Sequence, residues 1–173
     1  MTWLDDDELI EHLQSGDPEK IAIAFEAAET RWNGGDVLTG WVPTPHNLTA
    51  YAQAASYEQA DFITSFLLGR EGFFCEPDCH YTPIIGALVA QSFPFNTVHA
   101  VAMRLKIHPE SSSHILQVLV SIQPYLGDLP TSRARPIEHF VSCLLEGEAH
   151  IVQATEQGLA LWTDAQRSAI GLA

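Results

Sequence analysis

Basic residues are scarce in this 173-residue chain: eight Lys and Arg stand against 22 Asp and Glu, for a net charge of −14. Phosphate backbones are held by cationic side chains that displace condensed counterions, so this balance argues against DNA or RNA as a direct ligand. Long apolar runs are missing too. No stretch of about 18 uncharged apolar residues occurs, so no membrane-spanning helix is expected. The first residues, MTWLDDDELIEH, are acidic where a secretory leader would be basic and then apolar. A cytoplasmic location is the resulting expectation. Cysteine is limited to three, an odd number that supplies no disulfide framework.

Catalytic signatures are absent as well. The chain has no G-x-S-x-G, no G-x-x-x-x-G-K-[ST], no G-x-G-x-x-G and no H-E-x-x-H or H-x-x-x-H pair. Glu138-His139 and Glu148-Ala-His150 place an acid beside an imidazole, but neighbours one or two apart on a helix face different ways. The reading is a non-enzymatic protein with no cofactor.

The clearest element is Asp17–Trp32, DPEKIAIAFEAAETRW. Asp17 is placed to accept from the free amides of a first helical turn, and Pro18 at the first helical position gives up an N–H that would be orphaned anyway. Glu19 sits at the positive end of the helix dipole. Ile21, Phe25, Ala28 and Trp32 recur at i, i+4, i+7 and i+11, an apolar stripe of helical period. A shorter helix, Asp5–Gln14, precedes it with Leu9, Ile10 and Leu13 on one face. The short linker Ser15-Gly16-Asp17-Pro18 predicts a helical hairpin. This hairpin resembles a HEAT/armadillo-like repeat unit in its Asp17-Pro18 linker, in Lys20 two places on, and in the small residues Ala22, Ala24, Ala27 and Ala28. The resemblance covers about thirty residues and implies stacked helical hairpins. An irregular helical bundle is the alternative.

The remaining chain keeps a helix–turn–helix rhythm within a single domain spanning 1–173. Asn47 is placed to cap a helix bearing Leu48, Tyr51, Ala52 and Ala55. Ser56–Gln59 reads as a capping box ahead of Phe62, Ile63, Phe66 and Leu67. Thr82-Pro83 opens a helix whose Ile84, Ile85, Leu88 and Val89 are apolar nearly all round, which predicts a central position. Asn96 is expected to cap the next helix, with Val98, Val101, Ala102, Leu105 and Ile107 buried. Ser111–Ser113 starts a helix carrying Ile115, Leu116, Leu119, Val120 and Ile122. Pro124 to Pro136, with Arg133 and Arg135, reads as a loop, and Pro136 as the start of the helix with Ile137, Phe140, Val141, Leu144 and Leu145. Glu148–Trp162 follows, with Gly158 as a weak point and Ile151, Val152, Leu159 and Leu161 in the core. Thr163–Gln166 is a second capping box before a short terminal helix. The total is nine or ten helices and no strand, an all-α fold.

Three groups of residues are candidates for function. Residues 1–36 hold ten acids against Lys20 and Arg31, a local charge of −8. The acids Asp5, Asp6, Asp7, Glu8, Glu11, Glu26 and Glu29 are candidate contacts for a basic protein partner, which such a field would steer in. Small size, strong acidity and a helical scaffold match the class of antitoxin or immunity-type inhibitors of basic, nuclease-like toxins. The bland reading of the same acids is helix-end stabilisation and solubility. A second reading is a helical-repeat scaffold or small-ligand binder with a groove near Trp41, Tyr51, Tyr57, Tyr81 and His80. Third, Cys75, Cys79 and His80 form a minor zinc alternative, although acidic Glu76 and Asp78 oppose thiolate formation and no second cysteine pair follows. Cys143 lies on an apolar helix face. His80, His99, His108, His114 and His139 fall in a region poor in acids, where they are expected to line one surface.

Overall fold

The computed structural model describes residues 4–30, 45–68, 82–91, 95–107, 111–129 and 131–172. Among these the chain is all helical, with ten α-helices and no strand. They are α1 (Asp6–Gln14), α2 (Pro18–Thr30), α3 (Pro45–Ala54), α4 (Tyr57–Leu68), α5 (Thr82–Gln91), α6 (Phe95–Ile107), α7 (Ser111–Ile122), α8 (Thr131–Leu145), α9 (Ala149–Ala160) and α10 (Asp164–Ala169). A 3₁₀ segment, Gln123–Asp128, follows directly on α7. No helix among the described residues is long and apolar enough to cross a membrane.

The helix starts follow from local hydrogen bonding. Asp17 Oδ1 accepts from Glu19 N at 2.9 Å, satisfying one of the amides that a helix N-terminus leaves open. Capping boxes form at Ser56–Gln59 and Thr163–Gln166. A third, at Asp5–Glu8, closes with two bonds of 2.9 Å. Each ties a side chain to a backbone amide three residues away, so the device is independent of the rest of the fold.

Packing arranges the helices in two rows. The odd-numbered helices contact one another in succession, α1 on α3, α3 on α5, α5 on α7 and α7 on α9. The even-numbered α4, α6 and α8 do the same, and the rows are joined by α1–α2, α4–α5 and α8–α9. The most extensive contacts flank α7. Glycine makes them possible on both sides. A Cβ at Gly86 of α5 would stand 2.4 Å from both Ser121 Cβ and the Val118 carbonyl, and one at Gly158 of α9 would stand 2.6 Å from Leu119 Cδ1. Helical glycine costs about 1 kcal/mol against alanine, which close packing on both faces of α7 offsets. The weak point expected at Gly158 is therefore a buried contact inside a continuous helix. Trp162 is also buried, and its indole donates to the Leu119 carbonyl at 3.1 Å.

The structure changes several local expectations. Asn47 lies inside α3 and is buried, and Asn96 stands within the first turn of α6. Ile107, Val120 and Leu161 are exposed; Ile107 and Leu161 stand at or beyond helix ends, where no neighbouring row covers them. The largest correction concerns residues 124–136. Its described residues are mostly helical: they hold the 3₁₀ segment and the first turn and more of α8, with Pro136 inside the helix. Arg133 is fully buried there, donating from Nη2 to the Val89 carbonyl at 2.8 Å and from Nε to the Ala90 carbonyl at 3.4 Å. These carbonyls belong to the last turn of α5, where a helix lacks internal donors and favours a cation. This anchor offsets the backbone bond that Pro136 removes from its own helix.

Candidate functional site

Two clusters of functional side chains emerge, one between α2 and α4 and one between α6 and α8. The first is an open groove of about 420 Å³ between α2 and α4. Glu26 and Glu29 of α2 and Glu58 of α4 line it, together with Ala22, Phe25 and Gln59. The three glutamates are exposed. Phe25 is buried beneath them, packed edge-on to Tyr51 with ring centroids 5.1 Å apart. The Tyr51 hydroxyl donates to the Ala24 carbonyl at 3.0 Å and so fixes α3 against α2. Among the described residues, no cation lines the groove.

The other acids singled out by sequence, Asp5, Asp6, Asp7, Glu8 and Glu11, are all exposed on or before α1. They do not line the groove. Asp5 and Glu8 serve the capping box of α1, the helix-end role that was the bland reading of these acids. Glu58, which completes the groove, drew no attention as a contact residue because it lies 29 positions beyond Glu29 in the chain.

The second cluster joins α6 and α8. His139 and Cys143 are four residues apart, which places them one above the other on one face of α8. His99 of α6 meets them from the neighbouring helix. His99 Nδ1 stands 2.8 Å from His139 Nε2, and Cys143 Sγ stands 3.2 Å from His139 Nε2 and 3.8 Å from His99 Nδ1. The two imidazoles are tilted by 30° at a centroid distance of 5.0 Å. Burial is graded: His99 exposed, His139 half-buried, Cys143 buried. Burial pushes the Cys143 thiol up, with Lys106 opposing and Glu146 adding to the shift. His139 also lines a small cleft of about 260 Å³ with Arg135, Glu138 and Ser142.

No family model, no curated protein and no solved structure matches the chain. The sites therefore rest on their own chemistry. The five histidines expected on one surface divide. His99 and His139 meet, whereas His114 is buried between α5 and α7, its Nδ1 hydrogen-bonded to Thr82 Oγ1 at 2.8 Å. His80 and His108 lie outside the described residues, as do Cys75, Cys79, Trp41 and Tyr81. Of the aromatic groove, only Tyr51 has a described side chain, and it is buried in the core. The H-x-x-x-C spacing of His139 and Cys143 was visible in the sequence. The cluster's third member, His99, lies 40 residues away from His139 on another helix, and Cys143 falls among apolar neighbours, so the spacing alone does not mark a metal site.

Proposed function

We propose that this chain is a protein-binding module whose α2–α4 groove receives a basic segment of a protein partner. The observation that carries the reading is the convergence of Glu26, Glu29 and Glu58 on one groove with an apolar floor at Phe25. Three carboxylates around a concave apolar floor suit a cationic side chain whose alkyl stem packs below and whose charge stays at the rim. The net charge of −14 extends the attraction beyond contact and raises association rates at low salt. A HEAT-like scaffold that neutralises a basic, nuclease-like toxin, in the manner of an immunity protein, is the most specific form of this proposal.

The test is affinity capture of a partner from the source organism, followed by binding measurements at increasing salt. The wild-type chain is expected to capture a basic protein whose affinity falls as salt rises. The triple variant Glu26→Lys/Glu29→Lys/Glu58→Lys should lose at least about tenfold in affinity, since each charge reversal at a complementary surface is repulsive. Its melting temperature should stay close to wild type, because exposed substitutions remain within about 0.5 kcal/mol. Unchanged affinity and unchanged salt dependence in a folded triple variant would remove the groove from the reading.

A further inference from the structure

The His99–His139–Cys143 cluster is independent of the groove and has its own chemistry. Three atoms that carry lone pairs, two imidazole nitrogens and one sulfur, converge from two helices, and all lie within 4.8 Å of one another. A tetrahedral zinc ion, with Zn–N about 2.0–2.1 Å and Zn–S about 2.3 Å, sets its donors roughly 3.3 Å apart for two nitrogens and roughly 3.6 Å apart for nitrogen and sulfur. The separations of 2.8, 3.2 and 3.8 Å fall within about 0.5 Å of those edges. The ligand types agree with the geometry: imidazole and thiolate together suit zinc and its neighbours in the transition series, and disfavour magnesium and calcium.

We propose that His99, His139 and Cys143 bind a single zinc-type divalent cation that clamps α6 to α8. Nδ1 of His99, Nε2 of His139 and Sγ of Cys143 supply three bonds. Cys143 binds as the thiolate, and its proton passes to solvent. A fourth position belongs to water or another small donor, as in zinc sites with three protein ligands. The site borders the cleft of Arg135, Glu138 and Ser142, which His139 itself lines. Because α6 and α8 are neighbours in the even-numbered row, the ion crosslinks residues 40 and 44 positions apart and stabilises the stack by mass action.

The deciding experiment uses the full chain carrying Cys75→Ser and Cys79→Ser, freed of metal with a chelator, so that Cys143 is the sole thiol. Zinc should bind at one ion per chain. Cobalt(II) in its place should show thiolate-to-cobalt charge transfer in the near ultraviolet together with intense visible bands of a tetrahedral ion. Zinc at a hundredfold excess over Kd should raise Tm by about 5–10 °C. His99→Ala, His139→Ala and Cys143→Ser should each weaken zinc binding by more than the roughly 10- to 100-fold that loss of an outer partner costs. The His99 variant alters an exposed side chain and keeps the test clear of misfolding. A missing cobalt–thiolate band would leave only a hydrogen-bonded histidine pair beside a buried thiol and overturn the proposal. So would a band that survives Cys143→Ser in the chain that retains Cys75 and Cys79 but vanishes when those two are replaced, because the metal would then belong to the Cys75–Cys79 segment.

Discussion

Around α1 and α2 the charged groups stand outward: Asp5, Asp6, Asp7, Glu8, Glu11, Glu26 and Glu29 are all exposed. Around α5 and α8 the reverse holds, with Arg133 fully buried and His114 and Thr82 paired in the interior. At the first end, polar groups cap helices and shape the surface field. At the second, they connect one helix to another across the core. The same kind of atom therefore carries different energetic weight in the two regions. A solvated acid that caps no helix can be exchanged almost freely, whereas a buried guanidinium that fills a gap between helices cannot, because its removal strands the carbonyls it serves.

That contrast is open to three perturbations of decreasing size. Arg133→Ala should lower stability by about 3 kcal/mol in urea denaturation, since it removes charge-assisted bonds to the last turn of α5 and leaves a cavity. A loss below about 0.5 kcal/mol, the range of surface changes, would erase the distinction between the two regions. Gly86→Ala comes next. Its Cβ meets the α7 backbone at 2.4 Å, a neighbour that cannot rotate aside, and overpacking of this kind costs about 1–3 kcal/mol even after the gain in helix propensity. A more stable Gly86→Ala protein would show that α5 and α7 tolerate a wider spacing. The smallest effect is expected at the acidic end, where Asp5→Ala removes the cap of α1 at about 1 kcal/mol. Hydrogen exchange should localise this loss to α1, with α7 unaffected.

Most of the readings that held concern neighbours within a turn, although the local cap expectations at Asn47 and Asn96 failed, and the largest misreading concerns residues far apart in the chain. Asp17, Ser56–Gln59 and Thr163–Gln166 were legible because their partners lie two or three residues away. The apolar run of α5 was legible because a helix apolar on most of its surface must be covered on most sides. Arg133 was misread because Pro136 argues locally for a helix start, and the counter-argument, two carbonyls of α5, lies 43 and 44 residues away. The groove acids were half legible. Glu26 and Glu29 share a helix, but Glu58 joins them only because α4 lines the same groove as α2. The His–Cys cluster was legible as a pair and invisible as a triad.

By itself, then, the sequence determined the helical character of the described residues, most helix starts, many of the buried positions on the helical stripes and the strong negative charge. Caps, helical period and net charge are properties of residues within a turn or two, or of the chain's sum, and they do not depend on how the helices meet. Tertiary structure alone decided which polar residues face inward, which acids share a groove and which histidines converge. Those outcomes depend on the order in which helices stack in the two rows and on the close approach that Gly86 and Gly158 allow at α7. A side chain's neighbours across a helix interface are set by that stacking, and one turn of shift along α6 would separate His99 from Cys143 by about 5.4 Å.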